Sequence, residues 1–527
     1  EAASLAGDLR LGKLIVLYDA NQITLSATTN VTFTEDVGAR FEAYGWQVQE
    51  IDGMDVAAVD AALAAARAND ARPSLILART HIGFGSPNRA DTFQAHGEPL
   101  GKDETRLTKR AYDWPEDSEF FVPDAATQEF AKVRAHGEEL HAKWQKSMDA
   151  YRAQHGDVAR DFDRVMAGEL PPRWDAGLPT LTPKDGEMAT RDAGAKAIAA
   201  LAESVPNLVG GSADLDPSTR TLMRGQGAFP RGEVPEGGHH PPPQGAAGGE
   251  WGYAGRNIHF GIREHAMTAI LTGMARHGGV IPFGATFLTF SDYMRPGIRL
   301  AALSDAHAIY VWTHDSIALG EDGPTHQPVE QLASLRAMPN MTLIRPADAT
   351  ETIEAWRIAM QHTSGPIGLV LTRQKLPVLD RTHLAPASNT ARGAYVLDDA
   401  APGTVPELII IATGSEVSLA LAAHQQLGGE GVRSRVVSMP SWELFEDQPD
   451  AYRESVLPAD VGARVSVEAA SPFGWERYVG PDGAIIGVNH FGASAPGPEV
   501  MKHFGFTVEH VVATARSVLA AAKRTTA

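Results

Sequence analysis

The sequence predicts an α/β fold with three consecutive α/β domains and mainly parallel sheets. Short apolar runs alternate along the chain with longer helical patterns, and this alternation is typical of strands joined by crossover helices. The chain has 527 residues, of which 43% are hydrophobic. At roughly 150 residues per domain, this length predicts about three domains, each with enough apolar residues for a core.

The first α/β segment is predicted to contain three strands and two helices, followed by a helical connector. The strands are 14–18, 47–51 and 74–78, and the helices are 35–44 and 56–69. A charged stretch, 102–173, follows, and its part 126–153 has helical composition. We interpret this stretch as a long connector on the surface.

Two further segments repeat the alternation. The second is predicted to contain helices 192–203 and 263–276 with strands 207–210, 280–283, 307–311 and 366–372. The third is predicted to contain strands 408–412, 435–438 and 465–469 and a closing helix, 508–523. Few polar clusters typical of cofactor sites occur in the third segment, which indicates a structural or dimer-forming role. The predicted domain limits are 1–125, 126–181, 182–380 and 388–527.

Composition excludes several classes of function. The net charge of −19 disfavours a nucleic-acid or anionic-membrane surface, so an anionic substrate must be held by a few local cations. The absence of cysteine excludes disulfides, thiolate nucleophiles and cysteine-ligated metals. No apolar run is long enough to cross a bilayer. The first residues do not resemble a signal peptide, and the sequence does not begin with methionine. We expect a cytoplasmic enzyme, present here as a fragment or a processed product.

The most informative motif is THDSIALGEDGPTHQP, residues 313–328, which follows the predicted strand 307–311. Ligands bind at the carboxyl edge of open α/β sheets, where this polar run is predicted to lie. A single histidine there would suggest only a polar loop whose side chains form local hydrogen bonds. His314, His326 and Asp322 together favour a binding site over that alternative.

The segment from Gly225 to Gly252 is crowded with glycine and proline and is predicted to be an exposed, mobile loop. It contains His239 and His240 beside three prolines. Adjacent histidines on such a loop point in different directions, so we do not expect them to bind a metal.

Five motifs together resemble the transketolase family, the thiamine diphosphate enzymes of the pentose phosphate pathway. They occur in the family's order and extend over nearly the whole chain. The motifs are GGSADL (210–215), GIREHAM (261–267), ATFLTF (285–290), the run 313–328 and LTRQ (371–374). The resemblance implies a diphosphate-binding domain, a pyrimidine-binding domain and a C-terminal domain, with active sites between the subunits of a homodimer.

The resemblance implies that thiamine diphosphate is the cofactor and assigns residues to it. Glu264 would lie beside the N1′ atom of the aminopyrimidine and favour its imino form. Phe290 would stack on that ring, with Phe287 and Tyr293 lining the same pocket. From their spacing of three, we expect these aromatic side chains to lie on one side of a helical turn. Asp214 and His96 also match cofactor-binding positions.

The cofactor's diphosphate requires a divalent cation, Mg²⁺ or alternatively Ca²⁺ or Mn²⁺, because adjacent phosphates repel each other. The family match assigns the Asn21 side chain and the Ile23 backbone carbonyl as metal ligands. Taken alone, Asp19-Ala20-Asn21 would be an ordinary turn after a strand.

The family match also assigns substrate contacts. The phosphate-binding positions are Arg191, Ser218, His314 and Arg373, where guanidinium groups suit a phosphate. Asp322 and His326 match residues that contact sugar hydroxyls and shuttle protons, a role for which an imidazole group is suited. His96 matches a histidine near the cofactor and the first carbons of the substrate. The predicted catalytic residues are Glu264, His326 and His96.

Three departures from the family pattern limit these assignments. Family members carry, upstream of the position of Glu1, a Gly-Asp-Gly motif whose aspartate is the remaining metal ligand. We therefore expect an unpaired apolar strand edge, weak cofactor binding and little turnover from this polypeptide alone. The loop from Gly225 to Gly252 is longer than expected, and Phe93 stands where the family often has a histidine.

The resemblance implies reversible transfer of a two-carbon ketol group through a thiamine diphosphate ylide. The donor would be a ketose phosphate of the xylulose 5-phosphate type. The acceptor would be an aldose phosphate of the ribose 5-phosphate or erythrose 4-phosphate type. Two alternatives stay open at this point: dihydroxyacetone synthase, whose acceptor is formaldehyde, and an incomplete or split subunit that needs an upstream polypeptide.

Overall fold

The computed structural model describes residues 1–229, 248–399 and 405–525. The described residues fall into two compact units, one of residues 1–161 and one that begins at residue 162. Residues 230–247 of the predicted glycine- and proline-rich loop, including His239 and His240, lie outside the described part. Within the described part, no helix is both long and apolar enough to cross a membrane.

The first unit contains a three-stranded parallel sheet of order β1-β3-β2. Its strands are β1 (Ile15–Asp19), β2 (Gln47–Asp52) and β3 (Ser74–Arg79). The central strand is buried, with Leu75 and Ile76 in the core. The edge strand β1 leaves Leu17 47% exposed. The predicted strands and the predicted apolar edge are confirmed.

Two helices, α2 (Val37–Ala43) and α3 (Val56–Ala68), pack on this sheet, and both begin at aspartate caps. Asp36 Oδ1 accepts from Ala39 N–H and Asp55 Oδ1 accepts from Ala57 N–H, both at 2.9 Å, which satisfies backbone donors at the helix start. The other helices of this unit are α1 (Ala2–Asp8), α4 (Phe93–Gly97), α5 (Lys102–Ala111) and α6 (Asp124–Gln154). Helix α6 has no buried residue, as expected of a surface connector. Helix α7 (Gly156–Met166) leads into the second unit.

The second unit contains two five-stranded sheets and a two-stranded ribbon. The first of these sheets is wholly parallel, in the order β5-β6-β7-β9-β8. Its strands are β5 (Leu208–Ser212), β6 (Ile281–Phe287), β7 (Ile309–Thr313), β8 (Thr342–Ile344) and β9 (Ile367–Leu371). The antiparallel ribbon pairs β4 (Met188–Ala189) with β10 (Lys375–Leu376).

Two predicted strand positions in this sheet are wrong by a few residues. Strand β7 begins at Ile309 rather than at residue 307, because a turn joins Ala308 N–H to the Ala306 carbonyl. Strand β6 continues to Phe287 rather than ending at residue 283, because Phe283 to Phe287 pair with β7 along its whole length. Both shifts move the carboxyl ends of the strands toward the predicted site.

Helices pack on both faces of the parallel sheet. In the first of them, Ala193, Ala197 and Leu201 recur at four-residue spacing on the buried face. The helices are α8 (Thr190–Ser204), α9 (Asp216–Thr219), α10 (Glu264–His277), α11 (Ser291–Leu303), α12 (Gln331–Arg336) and α13 (Ala349–Gln361).

The third segment forms the other five-stranded sheet, of order β11-β13-β12-β14-β15. Only the β11–β13 pair is antiparallel. The strands are β11 (Tyr395–Asp399), β12 (Leu408–Ala412), β13 (Ser434–Ser438), β14 (Arg464–Val467) and β15 (Ala484–Ile486). The helices are α14 (Glu416–Gly429), α15 (Trp442–Glu446), α16 (Asp450–Val456), α17 (Glu476–Val479), α18 (Gly497–His503) and α19 (Val508–Thr525). The predicted strand 408–412 is confirmed to the residue.

Replacing Gly368 by Ala should destabilise the protein by ~2 kcal/mol, because overpacking a buried sheet forces side chains and backbone to shift. A Cβ at Gly368, the second residue of β9, would lie 2.2 Å from the Trp312 ring. Thermal unfolding of the variant and the parent protein measures this effect.

The matched control is Gly137→Ala on the exposed helix α6, where a Cβ meets no atom within 4 Å. This change should stabilise by up to ~1 kcal/mol, since alanine favours a helix over glycine. Equal melting temperatures for the two variants would contradict the packing argument.

Candidate functional site

The predicted substrate residues of the second unit gather at the carboxyl edge of its parallel sheet. His314 follows β7 directly, Arg373 lies two residues beyond β9, and Asp214 lies two residues beyond β5. Glu264 is the first residue of α10, which leads into the amino end of β6. Because such a crossover helix runs antiparallel to its strand, the start of α10 lies at the same edge. The topology therefore collects side chains that are far apart in the sequence.

Five rings form a continuous cluster at this edge. The Phe287 and Phe290 rings are stacked, with centroids 5.7 Å apart, and Tyr293 lies 6.0 Å from Phe290. The His314 ring lies 3.7 Å from Phe287, and the His326 ring lies 5.5 Å from Phe290. The cluster offers a flat apolar wall with two imidazoles beside it.

The expectation that Phe287, Phe290 and Tyr293 share one helical turn is wrong. Phe287 ends strand β6, Phe290 ends the 3₁₀ turn Leu288–Phe290, and Tyr293 lies in helix α11. The chain changes from extended to helical between Phe287 and Tyr293. The three rings meet because of this change.

A threonine hydroxyl lies beside each histidine of the run 313–328. Thr313 Oγ1 is 2.9 Å from His314 Nδ1, and Thr325 Oγ1 is 2.9 Å from His326 Nδ1. Each hydrogen bond fixes the orientation of its ring and leaves the Nε2 atom for another partner. In both cases the orienting residue directly precedes the histidine in the sequence.

His314 is uncharged at neutral pH. The side chain is buried, and burial together with the nearby charges of Arg191 and Arg373 lowers the pKa of His314 to about 3. His314 therefore offers a neutral imidazole N–H rather than a positive charge.

Two arginines supply the positive charge near His314. Arg191 Nη1 donates to the Ser218 carbonyl at 3.0 Å, while its buried Nε has no partner in the described structure. Burial lowers the pKa of Arg191. Arg373 is exposed and Nη1 donates to the Leu319 carbonyl at 2.9 Å. The Arg191 Nε atom is thus a buried donor at the site that has no hydrogen-bond acceptor in the described structure.

The predicted carboxylates differ in their exposure. Glu264 is 8% exposed and lies in the first turn of α10, where the helix dipole favours a negative charge. Asp214 is exposed and has a left-handed backbone, with φ of 64°. Asp322 is exposed on the loop that follows the 3₁₀ turn Ile317–Leu319. Of the three, only Glu264 can act as a carboxylate shielded from water.

The remaining predicted residues, Asn21, Ile23 and His96, lie in the first unit. Asn21 follows β1, and its Oδ1 accepts from Ile23 N–H at 2.9 Å. His96 is exposed on α4. That helix packs on the loop after β1, since a Cβ at Gly97 would lie 2.3 Å from Leu25 Cδ1. Within this unit, the histidine and the predicted metal ligands therefore lie on neighbouring segments.

Sequence reasoning missed a buried ion pair directly behind the site. Arg345 and Asp315 are each 1% exposed, and Arg345 Nη2 lies 2.7 Å from Asp315 Oδ2. Asp315 belongs to the quoted motif, but no role was predicted for it. Two signals could have found the pair: a carboxylate next to a buried histidine, and an arginine directly after an apolar strand.

Family comparisons agree with this geometry. The model for the transketolase thiamine diphosphate binding domain matches residues 1–171. The model for the transketolase pyrimidine binding domain matches 186–378, and the model for the transketolase-like C-terminal domain matches 393–507.

Curated proteins and solved structures give the same result. Transketolase of Geobacillus stearothermophilus is 48% identical over 521 residues, which cover 98% of this chain and 75% of that protein. A Pichia stipitis transketolase in complex with sedoheptulose 7-phosphate aligns with a TM-score of 0.90 at 39% identity, covering 98% of this chain and 73% of that one. Transketolase from Leishmania mexicana aligns with a TM-score of 0.88 at 41% identity, with the same coverage. The chain belongs to the transketolase family.

Proposed function

We propose that this protein transfers a two-carbon ketol group reversibly from a ketose phosphate to an aldose phosphate, with thiamine diphosphate as cofactor. One observation supports this most directly: two arginines and a neutral histidine lie beside an aromatic wall at one sheet edge. The cations suit the phosphate of a sugar, and the wall suits a flat heterocycle. Family membership supplies the reaction.

The residues present fit the pyrimidine half of thiamine diphosphate. Phe290, with its ring stacked on Phe287, provides a face for a flat ring, and Glu264 provides a buried carboxylate. Glu264 would bind the aminopyrimidine N1′ and hold a proton there. When bound, the cofactor supplies an electron sink for the two-carbon fragment.

For the diphosphate, we propose a divalent cation held by the Asn21 side chain and the Ile23 carbonyl. Both are oxygen ligands, which Mg²⁺ prefers and Ca²⁺ and Mn²⁺ also accept. Asn21 Oδ1 already accepts from Ile23 N–H at 2.9 Å, and this bond fixes its orientation while leaving a second lone pair. No cluster of three histidine, aspartate or glutamate side chains suited to a metal occurs among the described residues.

The sugar phosphate would bind between Arg191 and Arg373. The open Nε donor of Arg191, the exposed Arg373 guanidinium and the neutral His314 N–H provide three kinds of donor. The Ser218 hydroxyl lies on α9, beside the carbonyl that Arg191 binds. Charge-assisted hydrogen bonds from two arginines would hold the phosphate strongly in a protein of net charge −19.

At the other end of the substrate, we propose that His326 and Asp322 contact the sugar hydroxyls. Thr325 orients the His326 ring, which leaves Nε2 to give or take a proton at a hydroxyl. His96 is proposed to act at the first carbons of the substrate, and Asp214 at the cofactor. Exposure of Asp214 and Asp322 leaves their carboxylates accessible to these ligands.

We also propose that two copies of the chain form the homodimer expected of the family. Large apolar side chains are exposed in the segment before α10 and along α11. They are Ile262 at 77%, Tyr293 at 63%, Leu300 at 57% and Leu303 at 71%. Such a group of exposed apolar side chains supports a subunit interface.

The function is tested by supplying a ketose phosphate donor with thiamine diphosphate and Mg²⁺. Ribose 5-phosphate and formaldehyde are compared as acceptors. We expect transfer to ribose 5-phosphate at the higher kcat/KM, because the two arginines bind its phosphate. A preference for formaldehyde would indicate dihydroxyacetone synthase. Because little turnover is expected from this polypeptide alone, the assay is repeated with an added upstream polypeptide that carries the Gly-Asp-Gly motif. Absence of transfer to both acceptors in both assays would contradict the proposal.

Changing Glu264 to Gln should lower kcat by about 100-fold, because an amide cannot hold the N1′ proton as a carboxylate does. Steady-state kinetics at saturating cofactor measures this loss. The matched control is Glu509→Gln, an exposed carboxylate in the first turn of α19. Both changes remove a partner of a helix dipole, but only the first should reduce kcat. Equal rates for the two variants would exclude Glu264 from the chemistry.

Changing His314 to Gln should flatten the dependence of stability on pH. Burial lowers the pKa of His314 to about 3 in the folded state, whereas an unfolded histidine titrates near 6.5. Between these values the unfolded state binds up to one extra proton, so folding stability falls as pH decreases. Without His314, the slope of the unfolding free energy between pH 4 and 6 should decrease by up to ~1.4 kcal/mol per pH unit.

Denaturant titrations at several pH values measure this slope. The exposed His265, changed to Gln, is the control for the loss of one imidazole. An unchanged slope in the His314 variant would show that His314 binds a proton in the folded protein as readily as in the unfolded one.

A further inference from the structure

Arg345 is a buried cation with four side-chain partners, Asp315, Glu416, Thr413 and, at 3.5 Å, Ser415. Its Nε and Nη2 donate to Asp315 Oδ2 at 3.0 and 2.7 Å, and its Nη1 donates to Glu416 Oε2 at 2.5 Å and to Thr413 Oγ1 at 2.9 Å. A buried guanidinium is tolerated only when such partners satisfy it. The Gly414 turn leaves room for the group, since a Cβ there would lie 2.6 Å from Arg345 Cζ.

These partners come from different parts of the fold. Asp315 lies in the turn after β7. Thr413 lies in the turn after β12 of the other sheet, and Glu416 is the first residue of α14. Arg345 itself follows β8 directly. The guanidinium therefore fastens the turn beside His314 to a buried point in the third segment.

Both oxygens of the Asp315 carboxylate are already hydrogen-bonded, one to Arg345 and one to Ser316 in the same turn. Oδ2 accepts from Arg345, and Oδ1 accepts from the Ser316 hydroxyl at 3.3 Å. No donor of the ligand site is needed to satisfy Asp315. Its role is to hold the backbone of the turn that contains His314.

His314, the residue just before Asp315, has a left-handed backbone with φ of 60°. This conformation is unfavourable for a residue with a Cβ and persists only when the surroundings hold it. It lets the His314 ring lie 3.7 Å from Phe287 while the next side chain reaches Arg345. Fixing Asp315 therefore fixes the turn that directs His314.

We propose that Asp315 and Arg345 are positioning residues for His314, and that they set its N–H toward the substrate phosphate without touching the substrate. The inference rests on the proposed function, because it requires His314 to bind that phosphate. It assigns the pair to affinity for the phosphate rather than to the transfer step itself.

The same network supplies a matched control at its far end. Arg336 donates to both oxygens of Glu468, at 2.8 and 2.7 Å, and is likewise buried. Thr413 Oγ1 links Glu468 to the Arg345 group through a 2.8 Å hydrogen bond. Arg336 makes no contact with residues 313–316 in the described hydrogen bonds and ion pairs, so it shares the burial but not the proposed role.

The experiment compares Asp315→Asn, Arg345→Lys and the control Arg336→Lys in the protein loaded with thiamine diphosphate and Mg²⁺. Each is assayed with a phosphorylated ketose donor and with a phosphate-free ketose donor. We expect Asp315→Asn and Arg345→Lys to raise the KM for the phosphorylated donor by about tenfold or more, the cost of one misplaced hydrogen bond to a charged group. The KM for the phosphate-free donor should stay within about twofold, as should both KM values of the control.

A double-mutant cycle with His314→Ala separates positioning from loss of stability. In that background, Asp315→Asn should cause no further rise in KM, because the residue it positions is gone. The inference is overturned if the two effects on KM multiply. It is also overturned if the variants raise the KM for both donors equally. A third contrary result would be that Asp315→Asn and Arg345→Lys have the same KM values as Arg336→Lys, provided that all three variants melt above the assay temperature.

If Asp315→Asn does not fold, Arg345→Lys is carried through the same cycle. Failure of the inference differs from failure of the proposed function. In the first case the unmodified protein transfers the ketol group and only the KM pattern is wrong, whereas in the second the unmodified protein transfers nothing.

Discussion

The second unit depends on satisfying one buried positive charge, the guanidinium group of Arg345. Arg345 is 1% exposed, and a lone ion at such a depth would cost several kcal/mol. Its carboxylate partners must therefore stay in place for the unit to remain folded. Because those partners belong to the turns of two different sheets, satisfying one guanidinium fixes the ends of β7, β8 and β12 together.

The charges around this cation have distinct titration behaviour. Burial raises the pKa of Glu416, whereas the Arg336 guanidinium and other donors outweigh burial and lower the pKa of Glu468 to about 2. Two arginines, Arg336 and Arg345, thus face three carboxylates, Asp315, Glu416 and Glu468. In a second buried group, Glu351 on α13 accepts from the Tyr395 hydroxyl at 2.5 Å and from the Ser438 hydroxyl at 2.7 Å, which joins α13 to the sheet of the third segment. Buried polar contacts on the side away from the proposed site therefore stabilise the turns that carry the proposed substrate residues.

Much of the fold could be predicted from the sequence because buried parallel strands are continuous apolar runs. The run 408–412 coincides with β12, and the helices of the first unit begin close to the predicted residues. Strand β8 has only three residues, too few for a periodic pattern, and it was missed. The chemistry of the site was predicted from motifs, but the neutral state of His314 depends on burial and on arginines distant in sequence. No local pattern could reveal it.

The uncharged state of His314 has a consequence for how the site responds to acidity. A sugar phosphate loses its second proton near pH 6, and a histidine of ordinary pKa would gain its charge in the same range. The two effects on affinity would then oppose each other. Because burial and its neighbours hold the pKa of His314 at about 3, His314 does not change charge across this interval, whereas the ligand does. In the proposed phosphate site, discrimination between the mono- and dianionic forms of the substrate would therefore rest on the charges of Arg191 and Arg373.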